Sequence, residues 1–141
     1  MACVQDIVLM RDLFCVAETD TVADVARHMA DLHVGAILVL NEGKLCGIFS
    51  ERDLMKRVVL ESRDPATTMV REVMSTDVVT IDETASPEDA MEAMQAHNCR
   101  HLPVMRDSRV VAFLSMRDLM NYELARKTEE LHHMRAYIHG A

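Results

Sequence analysis

The sequence predicts an α+β fold, layered as α/β, in which two tandem β-α-β-β-α repeats pack about a pseudo-twofold axis and an amphipathic C-terminal helix follows. Two observations support this fold class. Displacing the 141-residue chain by 65 positions lays residues 14–55 over residues 79–120 without a gap, and the apolar pattern then agrees throughout. A unit of about 45 residues is too small to bury a stable core alone, so the two units are expected to pack together.

Each repeat contains the same order of strand-like segments. A short apolar segment comes first, and two further apolar segments flank a short polar turn, which is typical of a β-hairpin. In the first repeat the predicted strands cover 14–16, 36–40 and 44–49, and in the second they cover 78–81, 102–105 and 109–114.

Two helix starts occur in each repeat. Thr21 and Ser86 each precede an acidic residue three positions on, which is a capping-box pattern, and Pro87 occupies the favoured first helical position. A second helix is expected to begin at Ser50 and at Ser115, where the chain writes Ser-x-Arg-Asp-Leu-Met in both repeats.

The chain is therefore divided into four segments of one compact pair. These are 1–61, the first repeat with an N-terminal segment; 62–77, a linker with a short helix around 68–74; 78–122, the second repeat; and 123–141, a C-terminal helix. The helix carries an apolar stripe of Met120, Leu124, Leu131, Met134 and Ile138. We expect this stripe to pack across a dimer or against another protein, with packing on its own subunit as the alternative.

Composition excludes several classes of function. The formal net charge of −8 is unsuited to a general nucleic-acid binder, because phosphate backbones require a basic face. No stretch approaches the roughly 20 apolar residues that span a bilayer, so no membrane partner is expected. The four cysteines follow no disulfide or zinc-site spacing, which predicts a reduced, cytoplasmic protein without a structural metal.

The repeated Ser-x-Arg-Asp phrase has two interpretations. Ser50 with Asp53, and Ser115 with Asp118, form capping boxes that need no ligand. However, Arg52 in the first helical turn opposes the helix dipole, and the start of a helix after a strand is a favourable place for an anion. Serine and arginine for a phosphate, and aspartate for ribose hydroxyls, together describe a mononucleotide site.

The tandem units with GIFSERDL (47–54), AFLSMRDL (112–119) and CRHLPV (99–104) resemble the CBS domain pair, named after cystathionine β-synthase. The resemblance covers roughly residues 1–122. It implies a regulatory module without catalytic activity that binds an adenosine-containing ligand (AMP, ADP, ATP or NAD(H), and S-adenosylmethionine as a further candidate). It also implies a homodimer, shaped as a flat disc of four repeats, that acts on another protein through ligand-dependent shape.

The resemblance implies two clefts, each with walls from both repeats. The residues of site 1 would be Ile48, Ser50, Arg52, Asp53, Val79, Thr80, Arg100 and His101. The residues of site 2 would be Phe113, Ser115, Arg117, Asp118, Cys15, Val34, Gly35 and Ala36. Ala112 stands where the family usually has glycine, and its methyl group is expected to narrow site 2.

Two functions other than nucleotide sensing are also compatible with parts of the sequence. The first is a dimerisation or scaffolding module whose repeated phrase only caps helices. The second is an enzyme that uses Cys99 with His101 as nucleophile and base, although no acidic residue lies between them to orient the histidine. A metal site at His132, His133 and His139 is disfavoured, because adjacent histidines face apart on a helix.

Overall fold

The structure, a computed structural model, describes residues 3–4 and 14–139. The predicted N-terminal segment therefore lies mostly outside the described residues, as do the last two positions of the C-terminal segment. Within the described part, each repeat contains one three-stranded sheet and the helices packed on it. The predicted α+β fold of two β-α-β-β-α repeats is confirmed.

The first sheet contains β1 (Cys15–Ala17), β2 (Ala36–Asn41) and β3 (Lys44–Ser50) in that order. Strand β1 is parallel to β2, and β2 is antiparallel to β3. Helix α1 (Val22–Leu32) connects β1 to β2, as a parallel pair requires. The hydroxyl of Thr21 accepts the Asp24 N–H at 3.2 Å and so caps α1 as predicted.

The second sheet repeats this arrangement. Its strands are β4 (Ile81–Asp82), β5 (His101–Arg106) and β6 (Arg109–Ser115), and α3 (Pro87–His97) connects β4 to β5. Even the irregular positions recur at the 65-residue spacing. His33 and Asn98 end α1 and α3 with φ of 56° and 50°, and both hairpins shift register at the same place.

The second helices of the two repeats differ. In the first repeat α2 (Glu51–Asp53) continues as a short π-helix (Leu54–Val59). In the second, α4 (Met116–His139) is one α-helix of 24 residues. The predicted boundary at residue 123 thus falls inside a continuous helix, because no proline or glycine interrupts residues 116–139.

Each repeat has its own apolar core. The first contains Val22, Val25, Met29, Ile37, Val39, Phe49, Val58, Val70, Val73 and Met74. The second contains Val4, Ile81, Ala90, Met94, Leu102, Val104, Leu114 and Leu119. Val4 lies in the second core although it precedes the first repeat, and its N–H donates to the Ala85 carbonyl at 2.8 Å.

The linker between the repeats is part of the first repeat's structure. Its predicted helix is a single 3-10 turn, Val70–Glu72, and the Val70 N–H donates to the Asp20 carbonyl at 2.8 Å. The chain then crosses β3, where Ile48 and Ser75 exchange two backbone hydrogen bonds of 3.0 and 2.8 Å. A Cβ atom at Gly47 would lie 2.6 Å from the Met74 sulfur, so this crossing requires glycine.

The sheets meet along β3 and β6. The first Ser-x-Arg-Asp phrase, which follows β3, lies at the junction of the two repeats, where Ser50 shares a cleft with Arg100 and His101 of the second repeat. Across the described residues, no helix combines the length and the apolar character that a bilayer crossing needs.

Candidate functional site: the cleft between the repeats

A cleft of about 1090 Å³ lies between the two repeats. Seven of the eight residues predicted for site 1 line it, namely Ile48, Ser50, Arg52, Asp53, Val79, Arg100 and His101. Thr80 is exposed and does not line it. The cleft draws on the end of β3 and start of α2 from the first repeat, and on the start of β5 from the second.

Of the eight residues predicted for site 2, two line this cleft. Gly35 and Ala36 line the same cleft as Ser50, whereas Phe113, Ser115, Arg117, Asp118, Cys15 and Val34 do not line it. Ala36 is the partner of Ser50 in the first sheet, and the Gly35 carbonyl accepts the Glu51 N–H at 3.0 Å. These contacts hold Gly35 and Ala36 beside the first phrase, and His101 is paired with Ser115 of the second phrase in the same way.

Several cleft residues were not predicted from the sequence. They are Glu51 of α2; Ser75, Thr76 and Asp77 of the linker, with Val78 after them; and His97, Asn98 and Cys99, where α3 ends. The linker residues have a sequence signal in retrospect, because a polar Ser-Thr-Asp stands directly before the apolar segment 78–81.

The Asp53 carboxylate is held by several donors. Its Oδ2 accepts the Ser50 N–H at 3.0 Å and the Ser50 hydroxyl at 3.1 Å, while the Ser50 hydroxyl accepts the Asp53 N–H at 3.2 Å. Its Oδ1 accepts the Ser75 hydroxyl at 3.0 Å, and the Arg57 Nε lies 3.7 Å away. The capping box is therefore real, and it is tied to the linker through Ser75.

The second phrase also forms a capping box. The Ser115 N–H donates to Asp118 Oδ2 at 3.0 Å, and the Asp118 N–H donates to the Ser115 hydroxyl at 3.1 Å. Both aspartates are buried, whereas Arg52 and Arg117 are exposed. The two arginines differ in surroundings, since only Arg52 lines the cleft.

Two guanidinium groups, those of Arg52 and Arg100, line the cleft. Among residues 14–139, none of the ion pairs involves Arg52 or Arg100. Glu51, Asp53 and Asp77 also line the cleft, so its charge is mixed. An anion placed between the two guanidinium groups would gain charge-assisted hydrogen bonds.

His101 and Cys99 are both kept neutral by their surroundings. Burial lowers the pKa of His101, the nearby Arg100 lowers it further, and the Asp118 carboxylate opposes this shift. The His101 ring lies 5.2 Å from the Phe113 ring, between centroids. Burial raises the pKa of the Cys99 thiol, which disfavours the thiolate that a nucleophile requires. In the described part of the chain, no three metal-ligating side chains cluster.

Comparison with known proteins decides the family. The model of the CBS domain matches residues 4–60 and again residues 70–125, which together cover most of the chain. The chain belongs to the CBS-domain family. The predicted resemblance is thereby confirmed, and the two matched segments correspond to the two structural repeats.

Relatives within the CBS-domain family resemble the chain over most of its length. The mitochondrial CBS-domain protein CBSX3 of Arabidopsis thaliana is 30% identical over 133 residues, which are 91% of this chain and 64% of that protein. The chain thus spans just under two thirds of this relative. The structure of a CBS-domain protein from Burkholderia ambifaria superposes with a TM-score of 0.84 and 31% identity, covering 88% of this chain and 95% of that one.

One CBS-domain structure contains ligands. The CBS domain pair of the protein MJ0100 was solved with 5′-methylthioadenosine and S-adenosyl-L-methionine. It superposes with a TM-score of 0.79 over 89% of this chain and 98% of that chain, at 20% identity. At this identity the likeness concerns the fold.

Proposed function

We propose that this CBS pair is a regulatory module, not an enzyme, that binds an adenosine-containing ligand in the cleft between its repeats. The observation that carries the proposal is the pair of guanidinium groups, Arg52 and Arg100, which line the cleft from opposite repeats without an ion-pair partner among the described residues. The ligands of the MJ0100 pair support the adenosine part of the proposal.

In this proposal each wall of the cleft has a separate role. Arg52 and Arg100 bind a phosphate or carboxylate group of the ligand. Ile48 and Val79 contact the base, and His101 lies beside them. The ribose hydroxyls bind Asp53, where they replace the Ser75 hydroxyl. Ligand in this cleft contacts both repeats, so it favours one relative arrangement of them and alters a surface that a partner protein reads.

The same proposal includes a homodimer. The π-helix exposes Met55 and Val59 and the residue after it, Leu60, is also exposed, while the corresponding part of α4 exposes Met120 and Leu124. Two related apolar faces on one molecule are suited to burial against a second copy. The predicted disc of four repeats would bury them.

The test is thermal unfolding with AMP, ADP, ATP, NADH or S-adenosylmethionine, each at about 1 mM. A ligand at about 100 times its dissociation constant stabilises the protein by about 2.7 kcal/mol. This should raise the melting temperature of a chain this size by roughly 5–10 °C. We expect one ligand to produce the shift, Arg52→Ala to abolish it, and Arg117→Ala, the equivalent substitution outside the cleft, to retain it.

Absence of a shift with every ligand, or equal loss in both arginine variants, would contradict the proposal. The remaining candidate would then be the scaffold. One observation favours that alternative, since Ser50 and Asp53 already satisfy each other as a capping box.

A further inference from the structure

Helix α4 presents, over most of its length, an apolar stripe that the rest of the described chain leaves uncovered. Met120, Leu124, Leu131, Met134 and Ile138 are between 56% and 67% exposed. With Lys127 included, the spacing is 4, 3, 4, 3 and 4 residues, which is the a/d pattern of a coiled coil. The helix uses other positions for its own subunit, such as Leu119, which is 1% exposed. The predicted alternative, packing of the stripe on its own subunit, is wrong.

The charged residues on either side of the stripe indicate which partner helix would pack on it. At about 100° per residue, Glu123 and Glu130 lie along one edge of the stripe and Arg135 lies along the other. In a parallel pair of helices, a residue on the first edge contacts the residue five positions later on the other helix. Glu130 then meets Arg135 of the second copy, and the symmetric contact forms as well. An antiparallel pair in the register that aligns the apolar layers would instead place Glu130 against Glu130 of the second copy.

The ion pairs of α4 allow Glu130 to leave Arg126 and contact a second copy. Glu130 now lies 3.5 Å from Arg126, but Arg126 also lies 3.5 Å from Glu88 and 3.9 Å from Glu123. Arg126 therefore keeps carboxylate partners when Glu130 turns toward a second copy. Lys127 occupies one stripe position, where its stem covers apolar surface and its charge lies between Glu123 and Glu130 of its own helix.

We propose that α4 pairs in parallel with α4 of a second copy through the Met120–Ile138 stripe, as a short coiled coil that projects beyond the repeats. The stripe spans about 27 Å. A parallel pair places both bodies at the same end of the helices. The pairing needs no nucleotide, so it can be tested separately from the proposed ligand.

The test is disulfide formation in the full chain without nucleotide. In a parallel pair the two copies of position 134 face each other, so Met134→Cys should give a covalent dimer under mild oxidation that reductant reverses. Glu129→Cys, on the opposite face of α4, is the matched control and should give no more dimer than the wild type with its four native cysteines. Both positions are exposed, so the fold should be retained. Equal dimer yields from both variants, or none from Met134→Cys, would overturn the proposal.

A charge exchange in the Met134→Cys background tests the direction of the helices. Glu130→Lys and Arg135→Glu should each slow disulfide formation at least about threefold, because each turns two attractive contacts into repulsive ones. The double exchange should restore the rate. A double variant as slow as the single variants would contradict parallel pairing.

Discussion

Asp53 has hydrogen-bond donors on both carboxylate oxygens before any ligand arrives. Ser50 from its own phrase occupies Oδ2, and Ser75 from the linker occupies Oδ1. A carboxylate accepts about four hydrogen bonds, so a ribose diol must compete with at least one of these donors. Ser75 is the donor that can withdraw without breaking the helix cap.

Ser75→Ala should therefore lower the stability of the protein but strengthen its binding of nucleotide. Loss of one hydroxyl donor to a buried carboxylate should lower the free energy of unfolding by about 1 kcal/mol. The freed Oδ1 should tighten nucleotide binding, measured by calorimetry. Thr76→Val removes a hydroxyl from the next cleft residue, which is not among the hydrogen-bond partners of Asp53, and serves as the control. Weaker binding in Ser75→Ala would show instead that the serine contacts the ligand.

His101 should make stability depend on pH. Burial lowers its pKa below the ordinary value of about 6.5, so between the folded pKa and 6.5 the unfolded chain binds more protons. The free energy of unfolding should then fall as pH decreases from 6.5 toward the folded pKa, and it should be fully restored above 6.5. In His101→Gln this part of the pH dependence should disappear, as measured by urea unfolding between pH 5 and 7. Parallel curves for the two proteins would contradict this assignment.

At the scale of elements, the crossing of the linker over β3 connects the fold to the cleft. Gly47 leaves room for Met74 and for the Ser75 carbonyl, which a Cβ atom would approach to 2.6 and 2.9 Å. The same crossing places the Ser75 hydroxyl on Asp53. A change at Gly47 is thus expected to reach the cleft through the backbone.

Gly47→Ala should destabilise the protein by about 1–3 kcal/mol, because the new methyl group displaces a packed side chain and a paired strand. Gly35→Ala is the matched control, since a Cβ atom there would meet the Glu51 carboxyl group at an ordinary 3.6 Å. Chemical denaturation of both variants measures the difference. Similar midpoints would indicate that the linker moves away from β3 freely.

The sequence predicted these elements well where local signals are strong. Thr21, Ser86 and Pro87 set the starts of α1 and α3, and the polar turns set both hairpins. It did not predict the π-helix after Asp53, since the second repeat carries a similar sequence there and forms a regular α-helix. Nor did it predict Ser75 in the cleft, because that placement depends on a crossing between segments distant in sequence.

At the scale of the whole molecule, a segment outside each repeat completes the apolar core of that repeat. Val70 follows the first repeat and packs into its core, whereas Val4 precedes the first repeat and packs into the core of the second. Their N–H groups donate to Asp20 and Ala85, which are equivalent positions of the repeats. The side chains do not follow this symmetry, since Arg100 and His101 of the second repeat stand at the positions of Gly35 and Ala36 in the first.

Val4→Ala should weaken the second repeat although the substitution lies at the opposite end of the chain. Truncating a fully buried valine should lower the free energy of unfolding by about 1–3 kcal/mol. Hydrogen exchange should increase first in α3 and β5, whereas Val70→Ala should act first on α1 and β2. Faster exchange confined to β1–β3 in Val4→Ala would contradict this packing.

The position of Val4 also sets an order of events during synthesis. Every member of the first core lies between residues 22 and 74, so that core can close while later residues are still being added. The second core also needs Val4, which is synthesised before the first repeat and cannot complete that core until residue 119 has emerged. The first repeat is thus expected to fold during translation. The second repeat should fold last, when its strands and helices pack against the segment that contains Val4.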